Sequence, residues 1–360
     1  MKLYKIKNSL SIKALLHVAV ITGIGVPLLT STGQELWLSL TLVGSISILY
    51  LLFMYFHFIA PLKKTLHEMK ALLTGKRYRR ILTHRVDEIG VIGHFFNEIT
   101  QNLERISTDL NEHKRISKEL NVARQIQQNL IPQTAPSSKE LDVVAKTKPA
   151  EEIGGDCFDF METEDNLFFY LGDVTGHGVP AGLVMIMVDT LLDTFIDKNM
   201  NTKDVLINTN KYLKPKLNTA MFMTMVMFRW NKKTKTLYYT GAGHEHILIY
   251  RQSTHKCESF PAGGIALGMV PDNSAMLEEK ELPFEPGDVL IVYSDGITEG
   301  ENAAGELYGL KGLSLAAEKF GNLPESSMIF DQISTHFSGF LEGHIQDDDM
   351  SMMVVKRRLS

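Results

Sequence analysis

The 360-residue chain is 44% hydrophobic and carries a formal net charge of −5. That length allows two or three modules, and so mild a charge gives no argument for nucleic acid or acidic partners; no nucleic-acid partner is expected. Its two cysteines, Cys157 and Cys257, stand far apart. They make neither a disulfide framework nor a zinc-type spacing, and they suit a reducing compartment for the C-terminal part.

Two stretches near the N-terminus, Ala14 to Leu29 and Leu36 to Pro61, are apolar and almost uncharged. A hydrocarbon core takes about 20 residues, which the second stretch meets and the first approaches. The connection "STGQE" is too short for an external sensor domain, so the pair reads as a transmembrane hairpin over residues 1–62. Lys2, Lys5, Lys7 and Lys13 precede it, and Lys63, Lys64, Lys70, Lys76, Arg77, Arg79 and Arg80 follow it. By the positive-inside rule both ends are cytoplasmic, which predicts a multi-pass protein of the inner (cytoplasmic) membrane with its output domain in the cytoplasm. Trp37 and Tyr55 stand where interfacial aromatics belong, and His17 and His57 read as interfacial residues rather than metal ligands. A cleaved signal peptide ending near "TSTG" is the competing reading of the first stretch and leaves the rest of the chain cytoplasmic.

After Pro61 the apolar residues Leu62, Leu66, Met69 and Leu73 keep a heptad beat until Gly75. A basic connector, "KRYRRILTHRV", leads to "DEIG", whose acids suit a helix start. A second beat follows through Ile89, Ile92, Phe96, Ile99, Leu103, Ile106 and Leu110. Spacings of three and four predict a coiled-coil seam, most simply in a parallel homodimer. Beyond Leu110 the apolar side shifts to Ile116, Leu120, Ala123 and Leu130, a drift that suits either a two-state element or a plain spacer. Residues 63–110 resemble a HAMP domain, which implies a four-helix bundle that passes conformational change in a dimer; residues 111–136 read as a linker helix.

From Leu141 the chain reads as strands with a few long helices. The expected strands are "LDVVAKTK", "NLFFYLGDV", "AMFMTMVMFRW", "TLYYTGA", "HILIYR", "DVLIVYSDG" and "MSMMVVKR", with a "KKTK" hairpin between the third and fourth. Helices are expected over Pro180 to Ile196, Lys203 to Leu213, Leu307 to Phe320 and Ser326 to Leu341. Ala220 to Phe228 is apolar on both faces, which requires cover on both, and its methionines read as core filling. Two packed antiparallel sheets with helices outside satisfy this, an α+β fold.

Four groups of acids abut predicted strand ends: Asp156 in "EIGGDCFDF", Asp173 in "YLGDVTGHG", Asp295 in "IVYSDGITEG", and Asp347, Asp348 and Asp349 in "QDDDMSMMVV". Gathered in one pocket, such carboxylates would push one another into protonation unless a divalent cation intervened. Oxygen ligands without a Cys/His set point to Mn²⁺ or Mg²⁺. Paired ions of that kind clamp a phosphoryl group, so the residues point to metal-dependent phosphate ester hydrolysis.

The ordered motifs "GGDCFD", "GDVTGHGVPAGLVM", "GAGH", "YSDGITE" and "DDDMS" resemble a SpoIIE/RsbU-type serine phosphatase of the metal-dependent PPM superfamily. The resemblance covers Leu120 to Lys356, since "ELNVARQIQQNLIP" is similar to the helix preceding that domain. It implies an αββα sandwich over residues 137–358 with a two-metal site. Asp156, Asp173, Asp295, Asp348 and the Val174 carbonyl would be its ligands, with Asp173 and Asp295 catalytic. Asp348 is chosen within the triplet because "DDMS" matches an acid pair, one residue, then Ser/Thr. The implied reaction is direct hydrolysis of phosphoserine or phosphothreonine without a covalent enzyme intermediate. The implied substrate is a small phosphorylated regulator, an anti-sigma-factor antagonist of the STAS type. Asp159 reads as outer-shell or as a surface acid. His177 is expected as a packed, hydrogen-bonded residue at the helix start, and His244 as turn architecture first. "GAGHEH" departs from the family, which usually has prolines after the histidine, and Cys157 replaces a usual aromatic; no catalytic role is expected of its thiol. Two rival readings stay open. One is a catalytically inactive phosphatase-fold scaffold that binds a partner. The other is a different output chemistry, against which stands the lack of any Gly-rich nucleotide-binding pattern with a nearby Lys, even with His113 on the linker.

Overall fold

The computed structural model describes residues 36–359 apart from 83, 84, 86, 133, 137, 199, 219, 344 and 345, with the backbone alone for 36–40. The chain divides into two compact units, Met1–Arg115 and Ile116–Ser360. The expected span Ala14 to Leu29 lies outside the described residues.

In the first unit, helix α1 (Leu36–Met54) runs through a π-helical turn (Tyr55–Ile59) into α2 (Ala60–Leu73). The helix therefore continues past Pro61, although Lys63 and Lys64 end the apolar stretch there. Proline has no N–H to donate, and just ahead of it the Ala60 N–H reaches back five residues to the Tyr55 carbonyl. Thr41–Leu73 has a mean hydropathy of 2.0 in its most apolar window and is long and apolar enough to cross a membrane. Gly75, at φ 68°, closes α2 as its position suggests.

The connector folds onto both helices of this unit. The Arg79 N–H donates to Glu68 Oε2 at 2.7 Å. Ile81 exchanges two hydrogen bonds with the Asn97 side chain, at 2.9 and 3.0 Å. Tyr78 stands edge-on to Phe96 and donates to Glu104 Oε1 at 2.6 Å. Asp87 accepts from the Gly90 N–H and caps helix α3 (Glu88–Leu130). This helix runs unbroken through Leu110, where the apolar beat shifts. Ile89 and Phe96 are buried, whereas Ile92, Ile99, Leu103, Ile106 and Leu110 remain 39–55% exposed.

The second unit is a four-layer sandwich. One sheet has the order β1 (Leu141–Lys148), β10 (Met350–Arg357), β9 (Val289–Tyr293), β6 (His246–Arg251), β7 (Lys256–Pro261). The other has the order β2 (Cys157–Glu162), β3 (Asn166–Val174), β4 (Met223–Asn231), β5 (Thr236–Ala242), β8 (Lys280–Leu282). All neighbouring strands are antiparallel. Helices α4 (Val179–Ile196) and α5 (Thr202–Leu213) cover the second sheet. A short helix, α6 (Asp295–Thr298), with α7 (Gly309–Phe320) and α8 (Ser326–Leu341), covers the first.

The period of two explains why β3 and β4 are apolar on both faces. Leu167, Phe169 and Leu171, with Val226, Phe228 and Trp230, turn between the sheets. Phe168 and Tyr170, with Met223, Met225 and Met227, turn to α4 and α5. The methionine stripe is thus core. Helix α4 also meets the length and hydropathy of a membrane span, but half of it is buried here, so it is a core helix.

Several boundaries differ from expectation. Strand β4 begins at Met223 rather than Ala220, and β9 ends at Tyr293, beyond which Asp295 opens α6. Helix α7 starts at Gly309 rather than Leu307. Strands β2, β7 and β8 were not expected. Most residues of β7 are exposed at an edge, so its sequence carries no apolar alternation.

Phe228 is fully buried between the sheets and stacks on Phe169 with centroids 5.0 Å apart. Replacing it by Ala should cost the second unit about 3–5 kcal/mol, read as a lowered urea midpoint at unchanged slope.

Candidate active site

The acids lie at one rim because of how the strands pair. The β2–β3 ladder opens with Cys157 opposite Gly172, which brings Asp156 beside Asp173. In the other sheet Tyr293 pairs with Met352. The Ser294 N–H then donates to the Ser351 carbonyl at 3.0 Å, setting Asp295 against the start of β10 and the Asp348–Asp349 turn. Ends of β3 and β9, and starts of β2 and β10, therefore meet at one edge of the sandwich.

Asp349 joins the two sheets there. It is buried and accepts backbone N–H groups from Ala150 at 2.7 Å, Gly155 at 2.6 Å and Asp156 at 3.4 Å. A Cβ on Gly154 would come within 2.6 Å of its carboxylate, so that position needs glycine. Asp349 is thus committed to amides, while Asp348 beside it is exposed and accepts the Asp349 N–H at 2.8 Å.

Asp156 is only 2% exposed, and neither carboxylate oxygen has a hydrogen-bond partner. The Ser294 and Ser351 hydroxyls lie near and favour its charged form, but they donate elsewhere: Ser294 to the Asp349 carbonyl and Ser351 to Thr147. Burial, then the neighbouring Asp173, holds its pKa well above the carboxylate range. Asp173 is pushed to about 8 by burial and then by Asp295, Asp348 and Asp349. Asp295 is pushed to about 6 by burial, Asp348 and Glu299. Gly155 brings the backbone close to Val174, since a Cβ there would lie 2.9 Å from the Val174 carbonyl.

A buried, orphaned carboxylate among acids that repel one another is the signature of a site completed by cations. Among the described residues no group of three His, Cys, Asp or Glu side chains already forms a coordinating cage. The fit therefore rests on the donor set and its electrostatics, and all its donors are oxygens, which suits Mg²⁺ or Mn²⁺.

The structure brings Asp173 within electrostatic reach of Asp156, Asp295 and Asp348, and Asp159 falls outside that group. Asp159, raised to about 6, takes its shift from burial and from Asp189 and Asp193 on α4. His177 is not packed as expected. It is 63% exposed at the tip of the β3–α4 turn, with Nδ1 3.1 Å from Glu151 Oε1. The turn needs Gly176 and Gly178, at φ 81° and 77°, and this geometry lifts the ring outward; Gly178 is the helix N-cap. His244 Nδ1 lies 3.2 Å from Thr224 Oγ1, and burial lowers its pKa to about 4, so it is a neutral structural group. The Cys157 thiol is buried and its pKa is raised by that burial, which makes it inert.

Gln127, near the end of α3, is a contact that the sequence did not announce. Its Nε2 donates to the Gly154 carbonyl at 2.6 Å and its Oε1 accepts the Gly154 N–H at 3.2 Å. The side chain is buried, so the linker helix grips the loop that carries Asp156. The only signal available was its place in "RQIQQNL".

Residues 163–358 match the family Stage II sporulation protein E (SpoIIE). The chain belongs to the SpoIIE family. Its C-terminal unit is a phosphatase domain of the PP2C (PPM) serine/threonine class, and Asp156 lies just ahead of the matched residues. Phosphoserine phosphatase RsbU of Bacillus subtilis is 28% identical over 254 residues, 68% of this chain and 72% of RsbU. Protein IcfG of Synechocystis is 28% identical over 302 residues, 76% of this chain, which spans 47% of IcfG. The SiaA-PP2C domain of Pseudomonas aeruginosa shares the fold at 19% identity and a TM-score of 0.59, over 69% of this chain and 98% of that one. The RsbU and RsbW domains of Rv1364c from Mycobacterium tuberculosis align at 24% identity and a TM-score of 0.53, over 64% of this chain and 63% of that one.

Carboxyl groups with raised folded-state pKa values stabilise the fold while protonated. That contribution is full below the unfolded carboxylate value of about 3.9 and is lost as pH rises through the folded value. Metal-free protein should therefore lose melting temperature between about pH 4 and pH 8, the window set by Asp295 near 6 and Asp173 near 8. Asp173→Asn should flatten the upper part of that decline, and Mn²⁺ should raise the wild-type curve most at its alkaline end. A flat metal-free profile would contradict the electrostatic reading.

Proposed function

We propose that this chain is a membrane-anchored, metal-dependent phosphatase that hydrolyses phosphoserine or phosphothreonine on a small regulatory protein. The observation that carries this reading is Asp156, buried with both carboxylate oxygens unpartnered beside the raised Asp173. Asp156, Asp173, Asp295, Asp348 and the Val174 carbonyl would hold a pair of Mn²⁺ or Mg²⁺ ions. Such a pair, when bound, neutralises charge on the phosphoryl group and activates water. The chain's own part is orientation. Asp349 pins the loop of Asp156 through three amides, Ser294 and Ser351 lock the two strands below Asp295, and Gln127 fixes Gly154. Asp173 and Asp295 are the residues on which turnover depends most.

The family favours a phosphoprotein substrate, and RsbU is named a phosphoserine phosphatase. The RsbW domain joined to an RsbU domain in the mycobacterial protein favours a partner-switching setting, with an anti-sigma-factor antagonist of the STAS type as substrate. The apolar helix ahead of Lys63 and Lys64 favours an inner-membrane anchor with the phosphatase domain in the cytoplasm. Residues 63–110 would act as HAMP-like signalling helices, and the open seam from Ile92 to Leu110 favours a parallel homodimer.

With Mn²⁺ and a phosphoserine protein, the cytoplasmic part should release phosphate. Asp173→Asn should lower the rate at least a hundredfold, a loss of about 2.7 kcal/mol in transition-state stabilisation. Equal rates for wild type and variant would make the chain a non-catalytic scaffold. Sedimentation of residues 63–360 should give a dimer at micromolar concentration, and Leu103→Glu with Leu110→Glu should shift it to monomer. A wild-type monomer would sink the seam.

A further inference from the structure

Helix α8 and the first sheet bound a half-open cleft of about 290 Å³, whose lining residues Ile297 and Met350 stand within two residues of Asp295 and Asp349. Its walls include Ile297, Phe330, Ile333, Phe337, Met350 and Met352. Its floor is core, with Ile333 and Met352 only 1% and 3% exposed. Its volume equals about ten water volumes at about 30 Å³ each. It opens at Lys146, Lys148 and Ser338, all exposed.

We propose that this cleft is a binding site for a short amphipathic anion, an aliphatic carboxylate whose tail fills the apolar space and whose head meets the two lysines. Size and lining fit a small-ligand site, mostly apolar with a few polar groups at one end. The charge of the mouth selects the head group. Among the described residues no Asp or Glu lines the cleft, and Lys146 and Lys148 stand on one β1 face, two residues apart. The Lys146 ammonium lies 4.9 Å from the Phe330 centroid and 3.4 Å from Asp331, both on α8. The pair with Asp331 is exposed on both sides, so an anion can compete for the ammonium. The hydroxyls of Ser334 and Ser338 add polar groups without adding charge.

The test uses the full chain in lipid nanodiscs without added metal, with hexanoate as probe, empty nanodiscs as blank and saturation-transfer NMR as readout. Hexanoate should bind saturably, and neutral hexanamide should bind more weakly. Ser334→Trp, which fills the cavity from α8, should abolish binding. Lys148→Glu, on the exposed mouth, should weaken it about fivefold, the size of one exposed ion pair. Asp173→Asn should bind as wild type does, whatever its phosphatase activity. Absence of saturable binding, equal binding of hexanoate and hexanamide, or wild-type affinity in Lys148→Glu would each overturn the site.

Discussion

The carboxylate rim depends on the amide clamp of Asp349. One buried side chain at the start of β10 takes hydrogen bonds from Ala150, Gly155 and Asp156. It thereby holds the loop ahead of β2 against the other sheet. Each bond runs from a backbone N–H to a carboxylate oxygen of Asp349. The clamp works with the Gln127 grip on Gly154 to hold Asp156 against the repulsion of its neighbours. The glycines of "GGD" follow from the same contact, because a side chain at Gly154 would occupy the place of the carboxylate.

The clamp also divides labour among the acids. Asp349 spends its oxygens on amides and so cannot serve as an open ligand, whereas Asp156 has none of its oxygens spent. Two acids of similar burial therefore have opposite roles, decided by how many N–H groups face them. The same distinction sets Asp159 apart. It sits on the other side of β2 with Asp189 and Asp193, and Asp189 in turn accepts the Tyr170 hydroxyl at 2.7 Å.

Much of this fold was legible in the sequence because β3 and β4 are apolar on both faces and must be covered on both. That requirement alone leads to sheets packed between helix layers. Five strands, β1, β3, β5, β6 and β10, have the bounds their sequences suggest. The edge strands β7 and β8 were not legible, since an exposed edge needs no apolar pattern. Nor was the helix that continues through Pro61, because a π-helical turn answers the missing donor locally. At the site, the acids could be named from strand ends and glycines. The clamp and the Gln127 grip could not, because their partners lie 194 and 27 residues away. His177 drew attention by its place in "GDVTGHG", yet two glycines with positive φ turn it out to solvent.

The rim is an unfavourable arrangement on its own. Burial and mutual repulsion raise three carboxyl groups above their ordinary range, so the metal-free fold keeps protons it would otherwise release. A cation that replaces those protons is rewarded with the repulsion it removes, so metal affinity and fold stability draw on the same electrostatic term. The loop that carries Asp156 is gripped at Gly154 by Gln127 and at Gly155 by Asp349, one residue apart. A small shift of the Gln127 turn would therefore act on the loop directly beside its clamp.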